Sequence, residues 1–153
     1  MSTEYVSAER LVELKEELVT LKTIERKKIA EQLEYAKSLG DLSENAEYHE
    51  AREAQVTIED RIAYLEDIVK RAIIVQAKGG SIIDVGSTVI IEHAGNKEKQ
   101  TVVIVGSEEI NAAQGKISNT SPLGSQLIGK KKGEMAVVST PRGDVKYSII
   151  TVH

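Results

Sequence analysis

Five acidic residues recur at every third position near the middle of the first half of the chain: Asp41, Glu44, Glu47, Glu50 and Glu53. None of these acidic side chains is suited to an apolar core. Hard cations such as Mg²⁺ are often held by one or two carboxylates together with waters and phosphate oxygens. The acids therefore suit a partial metal site that a second molecule completes, and they do not form a metal cage alone.

The same spacing also fits a purely structural role. Gly40 can adopt the left-handed conformation that ends a helix, and Asp41 lies three residues before Glu44, which is the spacing of a capping box. Such a cap stabilises a helix by about 0.5–2 kcal/mol. Spacing alone favours capping over metal chemistry, although both roles can hold together.

Two basic residues, Lys37 and Arg52, flank this acidic stretch. They could contact the phosphates of a nucleic acid, or they could be solvated charges paired with Glu34 or Glu53. We expect His49 to be an isolated surface imidazole rather than a catalytic base.

Long helices are expected on both sides of the stretch. Before the acidic stretch, apolar residues recur at heptad spacing at Leu11, Leu14, Leu18 and Leu21. The pattern continues less regularly through Ile24, Ile29, Leu33 and Ala36. After the stretch, a second heptad pattern includes Ile58, Ile62, Leu65 and Val69. Each segment has roughly 30 residues and so a length of about 45 Å. The short connection favours an antiparallel coiled-coil hairpin within one chain over pairing of two chains, and we expect a monomer.

Composition changes between the halves. Residues 1–76 carry 17 acidic and 11 basic residues, whereas residues 77–153 carry 7 and 9 and are rich in Val, Ile, Gly and Ser. The sequence thus predicts an α+β protein: a coiled-coil hairpin over 1–76 with its acidic tip at 40–47, a linker at 77–81, and a small α+β domain over 82–153. Within that domain we expect an antiparallel sheet, from strands near 87–93, 100–105, 134–140 and 145–152, and one short helix near 125–128.

Other classes of protein are disfavoured. The chain has no cysteine, so disulfides and thiolate-bound zinc are excluded. No apolar run approaches the roughly 18–20 residues that span a bilayer, and we expect a cytoplasmic protein without membrane contact. A net charge of -4 argues against general nucleic-acid binding, so any such contact should be local or assisted by a partner or a metal.

The tip sequence resembles a known family. Residues 40–49, which read GDLSENAEYH, and residues 51–53, which read ARE, are similar to the tip of the bacterial Gre transcript cleavage factors of the GreA type. Residues 121–123 and 127–130, with Thr140, Pro141 and Gly143, resemble the C-terminal domain of the same family. The resemblance runs from about residue 4 to residue 152 in the family's order.

The resemblance implies a hairpin followed by a globular domain of FKBP-like fold. Proteins of this family bind bacterial RNA polymerase, and residues matching their docking loop are Thr120, Ser121, Pro122 and Leu123. The resemblance implies that the hairpin enters the polymerase secondary channel. There it would stimulate the polymerase's own Mg-dependent cleavage of backtracked RNA and rescue arrested complexes. By this resemblance the protein is an accessory elongation factor and not itself an enzyme.

The family pattern also assigns roles at the tip. Asp41 and Glu44 match the acids that help hold a second Mg²⁺ and orient the attacking water in a two-metal phosphoryl transfer. The ion is supplied at the polymerase active centre, and none is stably bound by the isolated factor. Lys37 and Arg52 match a basic patch that contacts the extruded 3′ end of the RNA. Lys37 stands where the family often has Arg, and its ammonium acts as a point charge.

Two alternatives remain open. One is a Gre-like paralogue that occupies the channel without promoting cleavage, and the retention of Asp41 and Glu44 argues against it. The other is a peptidyl-prolyl isomerase, which the FKBP-like fold suggests. The chain has five Tyr but no Phe and no Trp, so an aromatic-lined proline pocket is hard to build.

Overall fold

The first half of the chain forms a helical hairpin. In the computed structural model, which describes residues 3–75 and 80–153, helix α1 (Ala8–Thr20) is followed by a π-helical turn (Leu21–Glu25) and helix α2 (Arg26–Ser38). Helix α3 (Ala46–Arg71) then returns and packs against α2. The predicted antiparallel hairpin is therefore confirmed. None of the helices in the described part of the chain combines the length and apolarity needed to cross a membrane.

The π-helical turn explains why the apolar seam becomes irregular after Leu21. A strict heptad continuing from Leu21 would place apolar residues at 25, 28, 32 and 35. The buried residues are instead Ile29 and Ala36, one position later. A π turn contains one more residue than an α turn, so it returns the later residues to the face that meets α3. Ile24, which the sequence placed in the seam, is 52% exposed because it lies within this turn.

Ion pairs join the two sides of the hairpin and are consistent with its antiparallel register. The pairs are Arg26 with Glu59 at 2.7 Å, Arg61 with Glu17 at 2.8 Å and Lys22 with Glu66 at 2.6 Å. All of these side chains are partly exposed, and solvent screens such pairs, so each contributes little to stability. Burial of the apolar seam therefore supplies most of the stability of the hairpin, and the ion pairs fit its antiparallel register.

The second half builds a five-stranded sheet from β3 (Thr88–His93), β4 (Lys99–Val105), β5 (Lys116–Ser118), β6 (Met135–Thr140) and β7 (Gly143–Val152). The strand order in the sheet is β5-β4-β3-β7-β6. The α+β architecture is confirmed, but the sheet is mixed, because β5 pairs with β4 in parallel. Sequence reasoning missed β5, since three residues are too few to show strand periodicity.

One short helix, α4 (Pro122–Leu127), packs against the sheet. Its buried Leu127 joins the core formed by alternate residues of the strands, such as Val89, Ile91, Val102 and Ile104. The expected helix near 125–128 is thus present but begins three residues earlier, because Ser121 caps it. Pro at the first helical position suits this start, since its fixed φ matches the helix and its missing N–H is not needed there.

The N-terminal segment belongs with the second half of the chain. Strand β1 (Glu4–Val6) pairs with β2 (Ala72–Ile74), and Val6 is fully buried. The described residues accordingly form two compact units, Leu11–Ala72 and a second unit that combines residues 3–10 with 73–75 and 80–153. The division expected from sequence had placed everything before residue 77 in the hairpin. Residues 77–79 of the expected linker lie outside the described residues.

Candidate functional site

The turn between α2 and α3 carries the predicted acids. Helix α2 ends at Ser38, and Gly40 follows with φ 111°, a backbone conformation that favours glycine. Helix α3 begins at Ala46 and its N-cap is Asn45, whose side-chain oxygen accepts a hydrogen bond from the Tyr48 backbone N–H at 3.0 Å. The expected capping box of Asp41 with Glu44 was therefore wrong. Both residues lie in the loop before the helix.

Asn45 also ties the two helices together. Its Nδ2 donates to the carbonyl oxygen of Ala36, near the end of α2, at 2.6 Å. The Asn45 side chain thus accepts from a backbone N–H in the first turn of α3 that has no partner within the helix, and it donates to a backbone carbonyl near the end of α2. Sequence reasoning missed this role, although asparagine is among the preferred N-cap residues.

Replacing Asn45 with Ala should lower the free energy of unfolding by about 1–2 kcal/mol, because it removes the cap and leaves the Ala36 carbonyl without this donor. Urea denaturation followed by circular dichroism measures the change. Asn45→Asp is the matched control, since a carboxylate keeps the cap but cannot donate to Ala36, and it should recover part of the loss. Equal stability of Asn45→Ala and the parent chain would contradict the assignment.

Asp41 is held by its own loop. Its Oδ1 accepts hydrogen bonds from the hydroxyl of Ser43 at 2.8 Å and from the backbone N–H of Ser43 at 3.0 Å. These bonds, the hydroxyl bond first, hold the pKa of the exposed Asp41 carboxyl below its ordinary value. The group is therefore ionised at neutral pH. Because its folded-state pKa is depressed, its contribution to stability is present above the unfolded-state pKa and is lost as the pH falls through the folded-state pKa.

Ser43→Ala should accordingly raise the pKa of Asp41 towards its ordinary value. The shift is expected to be partial, because the backbone N–H of residue 43 remains. The side-chain carboxyl ¹³C resonance of Asp41, followed against pH, measures it. Ser38→Ala is the control, since the Ser38 hydroxyl donates to the Tyr35 carbonyl and not to Asp41. An unchanged Asp41 pKa in Ser43→Ala would show that the hydroxyl does not stabilise the carboxylate.

Glu44 is exposed and makes no hydrogen bond or ion pair with any residue in the described part of the chain. Asp41 and Glu44 are thus two exposed acidic residues on the loop between α2 and α3. Within residues 3–75 and 80–153 no group of three or more His, Asp or Glu side chains could hold a metal ion. Two carboxylates without a third ligand fit a Mg²⁺ site that another molecule completes, because this ion accepts one or two protein carboxylates and fills its shell from waters and phosphate.

The basic residues flank the loop on different helices. Lys37 is exposed in the last turn of α2, and its ammonium has no ion-pair partner among the described residues. Arg52 lies on α3 and donates from Nη1 to Gln55 Oε1 at 2.6 Å. Pairing with Glu34 or Glu53 is therefore not found in this part of the chain. Both cations remain available to an anionic partner, with Arg52 oriented along its helix.

The predicted docking loop spans the start of α4: Thr120 and Ser121 lie between β5 and the helix, and Pro122 and Leu123 are the first two residues of the helix. Ser121 is the N-cap of α4: its Oγ accepts from the Gly124 N–H at 3.0 Å and donates to the Ser118 carbonyl at 2.7 Å. Thr120 and Pro122 are exposed, whereas Ser121 is half-buried. Leu123 is also half-buried and packs against the sheet core, so it contributes to folding as well as to any docking surface.

Gly124 fixes the shape of this loop. A Cβ atom added there would meet the Ser118 carbonyl oxygen at 2.0 Å, a separation that no side chain can tolerate. The backbone of α4 therefore approaches the end of β5 more closely than any residue other than glycine permits. Thr120 and Pro122 consequently lie on either side of Ser121, whose hydrogen bonds fix the start of the helix.

Family models and relatives agree with this description. The model described as transcription elongation factor, N-terminal, matches residues 4–74, and the model described as transcription elongation factor, GreA/GreB, C-term, matches residues 78–153. Transcription elongation factor GreA of Bacillus subtilis is 39% identical over 148 residues, covering 96% of this chain and 94% of that protein.

A second relative, transcription elongation factor GreA of Hyphomonas neptunium, is 44% identical over 149 residues, covering 96% of this chain and 95% of that protein. Among solved structures, GreA factor homolog 1 of Thermus thermophilus is 27% identical, covers 99% of both chains and has a TM-score of 0.43. The two family models together account for nearly all residues, and the resemblance seen in the tip sequence is confirmed. The chain belongs to the GreA/GreB family of transcription elongation factors.

Proposed function

We propose that this protein binds bacterial RNA polymerase, inserts its helical hairpin into the secondary channel, and stimulates cleavage of backtracked RNA by the polymerase itself. The observation that carries the proposal is the loop with Asp41 and Glu44. It places two exposed carboxylates, one of them held by hydrogen bonds, at the turn between two long helices. A narrow two-helix hairpin can deliver ligands to a site that a globular surface cannot enter.

Asp41 and Glu44 would hold a Mg²⁺ ion together with the polymerase, and that ion supplies a polarised water and charge neutralisation at the scissile phosphate. In the absence of a shared cation, the two carboxylates would be repelled by the phosphodiester. Asp41, whose pKa is held below its ordinary value by the hydrogen bonds from Ser43, is in the ionised form that a metal requires at neutral pH. The residues of this chain therefore act by position and charge, and the bond is broken at the polymerase active centre.

Lys37 and Arg52 would contact phosphates of the extruded RNA 3′ end. Each carries a solvent-exposed side chain near the hairpin turn. Phosphate contacts of this kind fix the register of a bound strand and carry no sequence information. Such contacts suit a factor that must act on any transcript.

The loop of Thr120, Ser121, Pro122 and Leu123 would dock on the polymerase. Its shape is determined by the Ser121 cap and by Gly124. A preformed loop loses little conformational entropy on binding, which favours affinity from a small surface. The protein would work in the cytoplasm, as a monomer, and as an accessory factor rather than an enzyme.

The experiment is a transcript cleavage assay. Bacterial RNA polymerase is halted on a template with radiolabelled RNA and allowed to backtrack, and the purified protein is added with Mg²⁺. The proposal expects faster appearance of cleaved RNA and renewed elongation from the new 3′ end. Saturable binding to polymerase without any acceleration of cleavage would support the non-cleaving paralogue instead. No RNA cleavage is expected from the factor in the absence of polymerase.

A further inference from the structure

The carboxylate of Asp41 is held through only one of its oxygens. Oδ1 accepts both hydrogen bonds from Ser43, at 2.8 Å from the hydroxyl and at 3.0 Å from the backbone N–H. Among the residues that the structure describes, none donates to Oδ2. The two oxygens are thus different: Oδ1 accepts two hydrogen bonds from the loop, and Oδ2 of this exposed side chain accepts none from the described residues.

Ser43 is itself anchored to helix α3. Its carbonyl oxygen accepts from Nε2 of His49 at 3.3 Å. The ring of His49 also lies edge-on to the ring of Tyr48, with centroids 5.7 Å apart, and its backbone N–H donates to the Asn45 carbonyl at 3.1 Å. A chain of contacts therefore runs from the Asp41 carboxylate through Ser43 to a residue on a regular helix.

We propose that Ser43 is a positioning residue, anchored by His49, which holds Asp41 so that Oδ2 is the oxygen offered to the shared Mg²⁺. This inference rests on the proposed function. Carboxylates that bind metals are commonly fixed by hydrogen bonds from residues behind them, and loss of such a partner lowers metal affinity. Such positioning matters most on a loop, because an unrestrained side chain would lose conformational entropy when it binds the metal.

The first test uses halted, backtracked polymerase and measures the cleavage rate as a function of Mg²⁺ and of factor concentration. Ser43→Ala should raise the Mg²⁺ concentration for half-maximal stimulation by about tenfold, the lower end of such effects, because the backbone N–H bond survives. The factor concentration for half-maximal stimulation should not change. Ser43→Thr keeps the hydroxyl and should restore the parent value. Ser38→Ala, an exposed serine with no bond to Asp41, is the control.

His49 is tested in the same assay. His49→Ala removes the donor to the Ser43 carbonyl and should change the Mg²⁺ dependence in the same direction as Ser43→Ala. His49→Gln keeps an N–H group on a side chain of similar reach and should recover part of the effect. Circular dichroism at 222 nm verifies that each variant retains its helices.

A second readout needs neither polymerase nor metal. Three-bond couplings measured by NMR in the free protein report the χ1 rotamer of Asp41. A single dominant rotamer is expected in the parent chain and in Ser43→Thr, and averaged couplings are expected in Ser43→Ala.

The outcomes separate the two proposals. Unchanged Mg²⁺ dependence in Ser43→Ala, with Asp41→Ala inactive, overturns the positioning role alone. The same holds if Ser43→Ala weakens polymerase binding without changing the Mg²⁺ dependence. If the parent protein binds polymerase but does not accelerate cleavage, the proposed function fails and the positioning role fails with it.

Discussion

Asp41→Ala and Glu44→Ala are each expected to reduce stimulated RNA cleavage by at least about a hundredfold, while binding to polymerase stays nearly unchanged. Loss of a partner behind a metal ligand costs up to about a hundredfold, and loss of the ligand itself should cost no less. Neither side chain packs against the hairpin, because both are exposed. The cleavage rate at saturating factor and competition binding to polymerase measure the two quantities separately.

Glu50→Ala is the matched control, because Glu50 is an exposed acid of the same series but lies on α3 rather than in the loop. It should leave cleavage within about twofold of the parent, as surface substitutions usually do little. Unfolding of Asp41→Ala or Glu44→Ala would favour a capping role for the acids. We do not expect it, since Asn45 caps α3. Retained cleavage in both variants would contradict the metal role.

Pro122→Asp is expected to weaken polymerase binding by about a hundredfold, because an unpaired carboxylate placed in an interface costs roughly 2–3 kcal/mol. The substitution should not disturb folding. Pro122 is exposed at the first position of α4, and an acidic residue in the first turn of a helix is favoured by the helix dipole. Competition binding gives the affinity, and thermal unfolding verifies that the domain is intact.

The control for this variant is Ala113→Asp, which adds the same charge to an exposed residue of the same unit, within the short 3₁₀ helix Ala112–Gln114. Its affinity for polymerase should match that of the parent. If Pro122→Asp and Ala113→Asp weaken binding equally, general charge repulsion explains the loss. If Pro122→Asp binds like the parent, the loop does not dock on polymerase.

Much of the fold follows from local sequence patterns. The heptad spacing from Leu11 to Leu21 and from Ile58 to Val69 predicts two long helices, and the short connection between them predicts that they are antiparallel. Runs rich in Val and Ile, separated by turn residues, predict four of the five strands of the main sheet. These signals work because each repeats over several turns or strand residues, so that one misplaced residue does not remove the pattern.

The turn shows where such reasoning fails. Asp41 with Glu44 has the spacing of a capping box, and Asn45 is an equally good cap by type. The contact that favours Asn45 as the cap is with Ala36 on α2, whose carbonyl oxygen accepts a hydrogen bond from Asn45 Nδ2. A contact between residues 9 positions apart, across a turn, has no local signature. Asp41 instead accepts hydrogen bonds from Ser43 within the loop, and its side chain stays exposed.

By itself, the amino-acid sequence determined the helical hairpin, the α+β class of the second half and the family, because these depend on repeated apolar spacing and on a contiguous motif. Only the tertiary structure decided that Asn45 caps α3, that β5 pairs in parallel with β4 and that β1 pairs with β2. Each of these features depends on partners distant in sequence, or on segments of three residues whose own preferences are too weak to select a conformation.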